Sequence, residues 1–432
     1  MNRKILVSFG SLLLAVVLLF LTVSCQKKII VEETDLLKVY FGESENPQPR
    51  KADEVKGAAL PADFQTQMAQ FAFSLLNRTI QFTEAGENQL LSPLSAMYCL
   101  ALIANGAGKE TRAQMSRVLG MAPEELNPAL LAYALGLPSG KDVKIEMANS
   151  VWFQNTPSLK VNDSFLQTVA DWYAAQVYAS AFDDETVKNI NAWCEKYTDG
   201  MIKKMIENID SLGMLYLINA LVFDAKWETE YEDHQVGEGE FTAANGEKQT
   251  VTFLSSNEYA YLAGKNFEGV VKYYKGGDYA FVGLLPKAEI DAETLAETLT
   301  GDEWMTAWQN KSYETVKTKI PEFKTESSIR LTDILREMGM TDAFDPTVAD
   351  FLPMGTCNDG GLCLSNVMQK TYLEVDRNGT KAAAVTWGEI KFGSAPPSEN
   401  SKEIYLDRPF VYLVVDTATG IPSFIGVTQT LR

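Results

Sequence analysis

The chain has a single histidine, His234, in 432 residues. A Ser-His-Asp or Cys-His centre needs an imidazole beside its nucleophile. His234 lies in Tyr-Glu-Asp-His-Gln, a hydrophilic stretch that reads as solvated surface, so both chemistries are set aside. The sequence also lacks HExxH, a Walker loop, a GxGxxG after a strand and a GxSxG elbow, and no enzymatic activity is expected. Cysteine is scarce, five in all, and none is spaced as CxxC, which removes the zinc-ribbon and thioredoxin patterns. No metal or cofactor is expected. Positive charge is short as well: 38 Lys and Arg face 57 Asp and Glu, a net charge of -19. Coulomb repulsion excludes nucleic acid and anionic membrane surfaces as direct partners.

What is present begins with an export pattern. Arg3 and Lys4 precede an apolar run from Ile5 to Val23, which ends at Ser24 and Cys25. A small residue directly before a cysteine suits bacterial lipoprotein processing better than a retained helix, although Leu21 stands four places before the cysteine and Thr22 fills the usual leucine slot. Residues 1–24 are therefore expected to be a signal peptide and Cys25 the lipidated residue. Each buried acyl methylene contributes roughly 0.8 kcal/mol, so several chains would hold the protein at a membrane without a spanning helix. The membrane is a partner through the lipid alone. The expected location is the cell envelope, periplasm-facing or surface-exposed, with the extracellular space as the alternative.

Residues 25–60 are polar, contain Pro47 and Pro49, and show few periodic apolar positions, the composition of a flexible tether. Residues 61–432 show no second linker and no repeat, which predicts one large domain. Its first half reads as helical, as in Phe64 to Asn77 and Ser92 to Asn105. Its second half carries short apolar or alternating strands, as in Leu215 to Phe223, Tyr279 to Leu285, Val367 to Val375 and Pro409 to Val415. The class is α+β. Cys99 and Cys194 fall in helix-like apolar patterns as small buried residues, whereas Cys357 and Cys363 flank a Gly-rich turn and could pair after export.

The run from Asn88 to Gly120, with its Ser92-Pro-x-Ser95 helix start and Gly106-x-x-x-x-Thr111 turn, resembles the serpin family. More matches follow in family order: Asn149 and Phe153, Ile190-Asn191-x-Trp193 with Thr198 and Gly200, Asn219-Ala220 leading to Trp227, and Leu284-Leu285-Pro286. Pro321-x-Phe323-Lys324, Leu335-x-x-Met338-Gly339-Met340 with Phe344, and Asp407-Arg408-Pro409-Phe410 complete the set. The resemblance spans about residues 62 to 432. It implies three sheets, eight or nine helices and an exposed reactive loop. It also implies that Ser92, Ser95 and Asn219 lie beneath the central sheet where that sheet opens, with Trp227 near the mouth that receives the loop. This chain departs from the family in three places. Gln369 stands where a histidine is common, and Arg377 and Lys381, two before and two after the hinge glycine Gly379, reverse the sign of the usual glutamates.

The segment from Gly379 to Ser394 can be read from its own residues. As a strand, one face would carry Thr380, Ala382, Ala384, Thr386, Gly388, Ile390 and Phe392. The other would carry Lys381, Ala383, Val385, Trp387, Glu389 and Lys391, so every charge falls on one side. That is the pattern of a strand with one buried and one wet face, yet it runs into Pro396-Pro397 and a polar stretch typical of an exposed loop. The segment is written for two states. The resemblance implies an irreversible inhibitor of serine proteases, and of papain-like cysteine proteases as a further class. The loop is cut, the protease is held as an acyl-enzyme, and the hinge from Gly379 through Val385 and Thr386 inserts into the central sheet. Family spacing puts the cut at Gly393-Ser394, suiting elastase-like targets; a shift to Phe392 or Lys391 would suit chymotrypsin-like or trypsin-like ones. The chain is expected to be a monomer. The alternative function is a binding or carrier module of the same fold, against which the small hinge residues argue.

Overall fold

The computed structural model describes residues 33–41, 48–198, 200–211, 213–357, 360–381 and 401–431. Seven strands build its central sheet: β1 (Thr34–Asp35), β2 (Val143–Gln154), β3 (Ala175–Ser180), β4 (Leu215–Lys226), β5 (Phe323–Arg330), β6 (Asn366–Val375) and β7 (Gly379–Lys381). Their order across the sheet is β1-β3-β2-β4-β7-β6-β5. β6 alternates buried and half-buried residues along its whole length, the period-two signature of one core-facing side. β4 is nearly all buried, as expected of a strand covered on both faces.

Behind this sheet packs a six-stranded sheet that includes Tyr279–Pro286, Phe410–Asp416 and Pro422–Thr428. A four-stranded sheet ends at Lys402–Tyr405, which pairs in parallel with Val316–Pro321. A small fourth sheet joins Lys160–Val161, Gly355–Cys357 and Gly360–Gly361. The three large sheets match the expectation. Eleven α-helices occur among the described residues rather than eight or nine, because short N-terminal helices add to the set.

Those helices, α1 (Leu36–Phe41) and α2 (Ala52–Val55), correct the reading of residues 33–60 as tether. Thr34 and Asp35 pair antiparallel with Ala179 and Tyr178 at the edge of the central sheet. Leu37 is 2% exposed and Val55 7%, and the Arg50 guanidinium lies 3.9 Å above the Phe41 ring. The Arg50 and Lys51 N–H groups donate to the Ala170 and Asp171 carbonyls, two orphan acceptors near the C-terminal end of helix Asp163–Trp172. A few apolar anchors and satisfied backbone groups thus hold the segment without a periodic pattern. The signal-peptide and lipidation readings on residues 1–32, Cys25 included, lie outside the described residues.

Helix α3 (Phe64–Gln81) extends four residues beyond its sequence-based end. Helix α4 (Pro93–Ala104) is buried at every position, so it runs through the middle of the molecule rather than along its surface. Ser92 caps it, its Oγ accepting from the Ser95 N–H, and Pro93 occupies the first turn. Cys99 and Cys194 are buried, and burial pushes the Cys194 thiol up to about 12. Cys357 and Cys363 are free: Cys357 Sγ sits 3.3 Å from Thr156 Oγ1 and Cys363 Sγ 3.8 Å from Met214 Sδ.

Candidate functional site: the seam of the central sheet

The middle of the sheet is a partly opened seam. At one end β4 and β6 pair directly and in parallel, from Tyr216 with Asn366 to Asn219 with Gln369. Toward the other end the strands part and β7 stands between them. Gly379 and Thr380 face Lys226 and Ala225 of β4, while Thr380 and Lys381 face Val375 and Glu374 of β6. The root of the hinge is therefore already a strand of the sheet. Hinge residues Ala382, Ala383, Ala384, Val385 and Thr386 lie outside the described residues, as do Lys391, Phe392, Gly393 and Ser394.

Gly379 is required where it sits. A Cβ there would fall 2.0 Å from the Ala225 carbonyl oxygen and 2.8 Å from Lys226 Cα, an overlap only glycine avoids. Thr380 is 1% exposed, and its hydroxyl meets that of Tyr274. Tyr274 stacks on Trp227 with centroids 4.6 Å apart and planes 6° from parallel. Trp227 in turn donates its indole N–H to the Asp376 carbonyl at 2.8 Å and its backbone N–H to the Asn378 carbonyl at 2.9 Å. Trp227 thus fixes the turn that feeds Gly379 into the sheet. Below it lies an ion pair, Lys272 Nζ to Glu258 Oε1 at 2.8 Å, with the lysine only 3% exposed. The ammonium also lies 4.3 Å from the Tyr231 ring centroid.

The reversed charge at Arg377 has an answer in space. Arg377 places its guanidinium 3.0 Å from Asp233 and donates its backbone N–H to Glu322 at 3.2 Å. Burial pushes the Glu322 carboxyl above its usual range, and the Arg377 N–H and charge pull it back. Lys381 is the register partner of Glu374. Because the Arg377–Asp233 pair is exposed it is worth little by itself, but a carboxylate in place of the guanidinium would face two acids. Arg377→Glu is expected to loosen the hinge root and to speed hydrogen exchange of the Gly379 and Thr380 amides two- to five-fold, with Glu322→Lys restoring the original rate. Exchange of a peptide spanning those residues is the check.

At the closed end, Ser92, Ser95, Asn219 and Gln369 come together. The Ser92 N–H donates to Gln369 Oε1 at 3.0 Å, and Gln369 Nε2 donates back to the Ser92 carbonyl at 2.8 Å. Ser92 Oγ donates to the Ser423 carbonyl at 3.0 Å. Asn219 donates to Asn149 Oδ1. Thr371, next on the same face of β6, donates to the Leu90 carbonyl at 2.8 Å. Gln369 therefore ties the central helix to the sheet with one acceptor and one donor, a task a neutral amide performs without titrating. Ser95 Oγ and Asn219 Oδ1 are buried with no protein partner, so the closed seam carries a local energetic cost.

Gln369→Ala would orphan the Ser92 N–H and is expected to cost about 1–3 kcal/mol, a fall of several degrees in the unfolding midpoint. Gln369→His would add a pH dependence. Burial disfavours imidazolium, so the folded pKa of that histidine falls below its ordinary ~6.5. Its contribution is then present above the unfolded pKa and lost as pH falls through the folded one. Thermal scans of the wild type and both variants between pH 5 and 8 read both effects.

The structure adds participants that the sequence reading missed: Tyr274, Lys272, Glu258, Asp233 and Glu322. His234 lies in the 3₁₀ turn Asp233–Gln235, 75% exposed at its side chain, 3.3 Å from Glu232. Among the described residues no cluster of His, Cys, Asp or Glu is arranged to hold a metal ion, and no helix is long and apolar enough to cross a membrane.

Residues 66–430 match the family model described as serpin, serine protease inhibitor. Serpin-ZXA of Oryza sativa subsp. japonica is 30% identical over 79% of this chain and 90% of its own length. The crystal structure of the thermophilic serpin tengpin in its native state is 38% identical, covers 93% of this chain and 100% of its own, and superposes with a TM-score of 0.83. Thyroxine-binding globulin in complex with thyroxine shares the fold at 22% identity, covering 85% of this chain and 99% of its own with a TM-score of 0.71. A family match over nearly the whole folded region, together with a sheet parted to admit the root of its own loop, means that the chain belongs to the serpin family.

Proposed function

We propose that this chain is a single-use trap for serine proteases, anchored to a bacterial cell envelope through Cys25. A protease attacks the segment following β7, with Gly393-Ser394 as the bond cut. While the acyl bond persists, the hinge continues the strand that β7 has begun, running between β4 and β6. The observation that carries this reading is the seating of Gly379 and Thr380 between those strands. The small residues of one parity, Ala382 and Ala384, suit burial in the same groove, and no charge on that face opposes it. At roughly 3.3 Å per residue, full insertion from Gly379 to Gly393 would carry the bound protease about 45 Å.

The test is to mix the full-length chain with elastase, chymotrypsin, trypsin and a papain-like protease and to separate the products on denaturing gels. The expected result is a detergent-stable complex with release of a peptide beginning at Ser394. If every protease cuts the loop and stays active, the trap is excluded for these classes and a carrier role gains ground. Lipidation is tested separately, by mass spectrometry of the N-terminal peptide from envelope fractions and by its loss in Cys25→Ala.

A further inference from the structure

We infer that trapping a protease dislodges the N-terminal strap, residues 33–41, from the edge of the central sheet; this rests on the trap proposed above. Register fixes where the strap lies. Thr34 stands in one row across the sheet with Ala179, Phe153 and Leu215. Leu215 is the first residue of β4, and Lys226, opposite the hinge glycine, is the last. The strap thus lies at the end of the sheet far from the loop root.

A loop inserted in the register that Gly379 and Thr380 begin would bring Ile390 level with Leu215, roughly 35 Å down the sheet. Gly393, carrying the protease, would emerge about 10 Å beyond that row. Sideways, β1 is separated from β7 by β3, β2 and β4, four interstrand spacings or roughly 19 Å. A compact protease of about 230 residues has a radius of roughly 20 Å, so its footprint at Gly393 reaches the strap. The strap is lightly held. Two residues pair with β3, Leu37 is the one fully buried side chain of α1, with Leu36 and Phe41 half-buried beside it, and Val39 and Tyr40 are 73% and 44% exposed. The arriving protease and the strap compete for the same ground, and the strap yields. On a chain anchored at Cys25, this would lengthen the reach from anchor to fold from about 28 Å, the span to Glu33, to roughly 85 Å, the span to Arg50, whose backbone bond to Ala170 remains.

Hydrogen exchange of the full-length chain in detergent micelles tests this in three states: intact, cut in the loop by a metalloprotease, and complexed with chymotrypsin or elastase. A metalloprotease forms no acyl bond, so the loop inserts without cargo. Peptides covering residues 33–41 are expected to be protected in the first two states and to exchange at least ten-fold faster in the third. Continued protection in the complex, or equal loss after metalloprotease cutting, overturns the inference while leaving the trap intact. Failure to form any complex overturns the trap and this inference with it. A second variant stands apart from exchange: Thr34→Cys with Ala179→Cys, oxidised to staple the strap. Stapling is expected to raise several-fold the number of inhibitor molecules consumed per protease, with reductant reversing the effect; no change on stapling refutes displacement.

Discussion

Cutting the loop once near its far end, between Ile390 and Ser394, is expected to raise the thermal midpoint of this chain by at least about 10 °C. An ordinary protein loses stability when nicked. On the trap proposed above, the freed segment would extend β7 between β4 and β6, where each inserted residue could bond to a strand on either side. Ladder hydrogen bonds on both sides and burial of one face oppose the cost of ordering the segment. At about 2.1 cal/mol/K of unfolding entropy per residue, a domain of roughly 370 residues shifts by about 1.3 °C per kcal/mol, so a rise of about 10 °C would correspond to a net gain of about 8 kcal/mol. Calorimetry before and after metalloprotease cutting measures it. A lower midpoint after cutting would mean that the closed sheet is the ground state and that there is no stored energy to spend.

On the trap proposed above, Thr380→Arg is expected to leave the chain a substrate of proteases rather than their inhibitor. Thr380 is 1% exposed and its hydroxyl meets Tyr274, itself fully buried against Trp227. A guanidinium in that place would be a buried charge without a partner, and the alternative, leaving the sheet, undoes the seating of the hinge. Insertion would then start later than deacylation, and the number of inhibitor molecules consumed per protease should rise ten-fold or more while the rate of loop cleavage stays near its original value. Thr380→Ser, which keeps the hydroxyl, should behave as the parent. Titration of residual protease activity against inhibitor concentration separates the outcomes; unchanged stoichiometry in the arginine variant would mean that the first hinge residue does not control insertion.

Much of the seam can be read along the chain because its residues sit in local patterns. Ser92 and Ser95 lie in a helix start, Asn219 lies in an apolar strand and Gln369 in an alternating one, so each is conspicuous where it stands. What holds them in place is not local. Tyr274 reaches Thr380, and Asp233 and Glu322 answer Arg377, across separations in sequence that no pattern of spacing reports. The acidic partners of Arg377 become specific only once the sheet is closed. The N-terminal segment was misread for a different reason. Strands of two residues and helices of four to six are too short to display a period, and a polar composition hides Leu37 and Val55, the residues that anchor it. Cys357 and Cys363 flank a turn, yet turns bring backbones together without bringing side chains into line, and each thiol finds other company.

The seam can also be described in the language of fracture. Direct contact between β4 and β6 ends at Asn219 and Gln369, and beyond that row the sheet is already parted around Gly379 and Thr380. This is a notch with a tip. A crack does not break every bond in its path together; it breaks those at its tip, here a row of hydrogen bonds worth on the order of 1 kcal/mol each, and then the next row. A segment that fills the opened gap behind the tip keeps it from healing. The toughness of the closed sheet is therefore concentrated at Asn219 and Gln369, and substitutions farther down the seam govern how far an opening runs once it has begun.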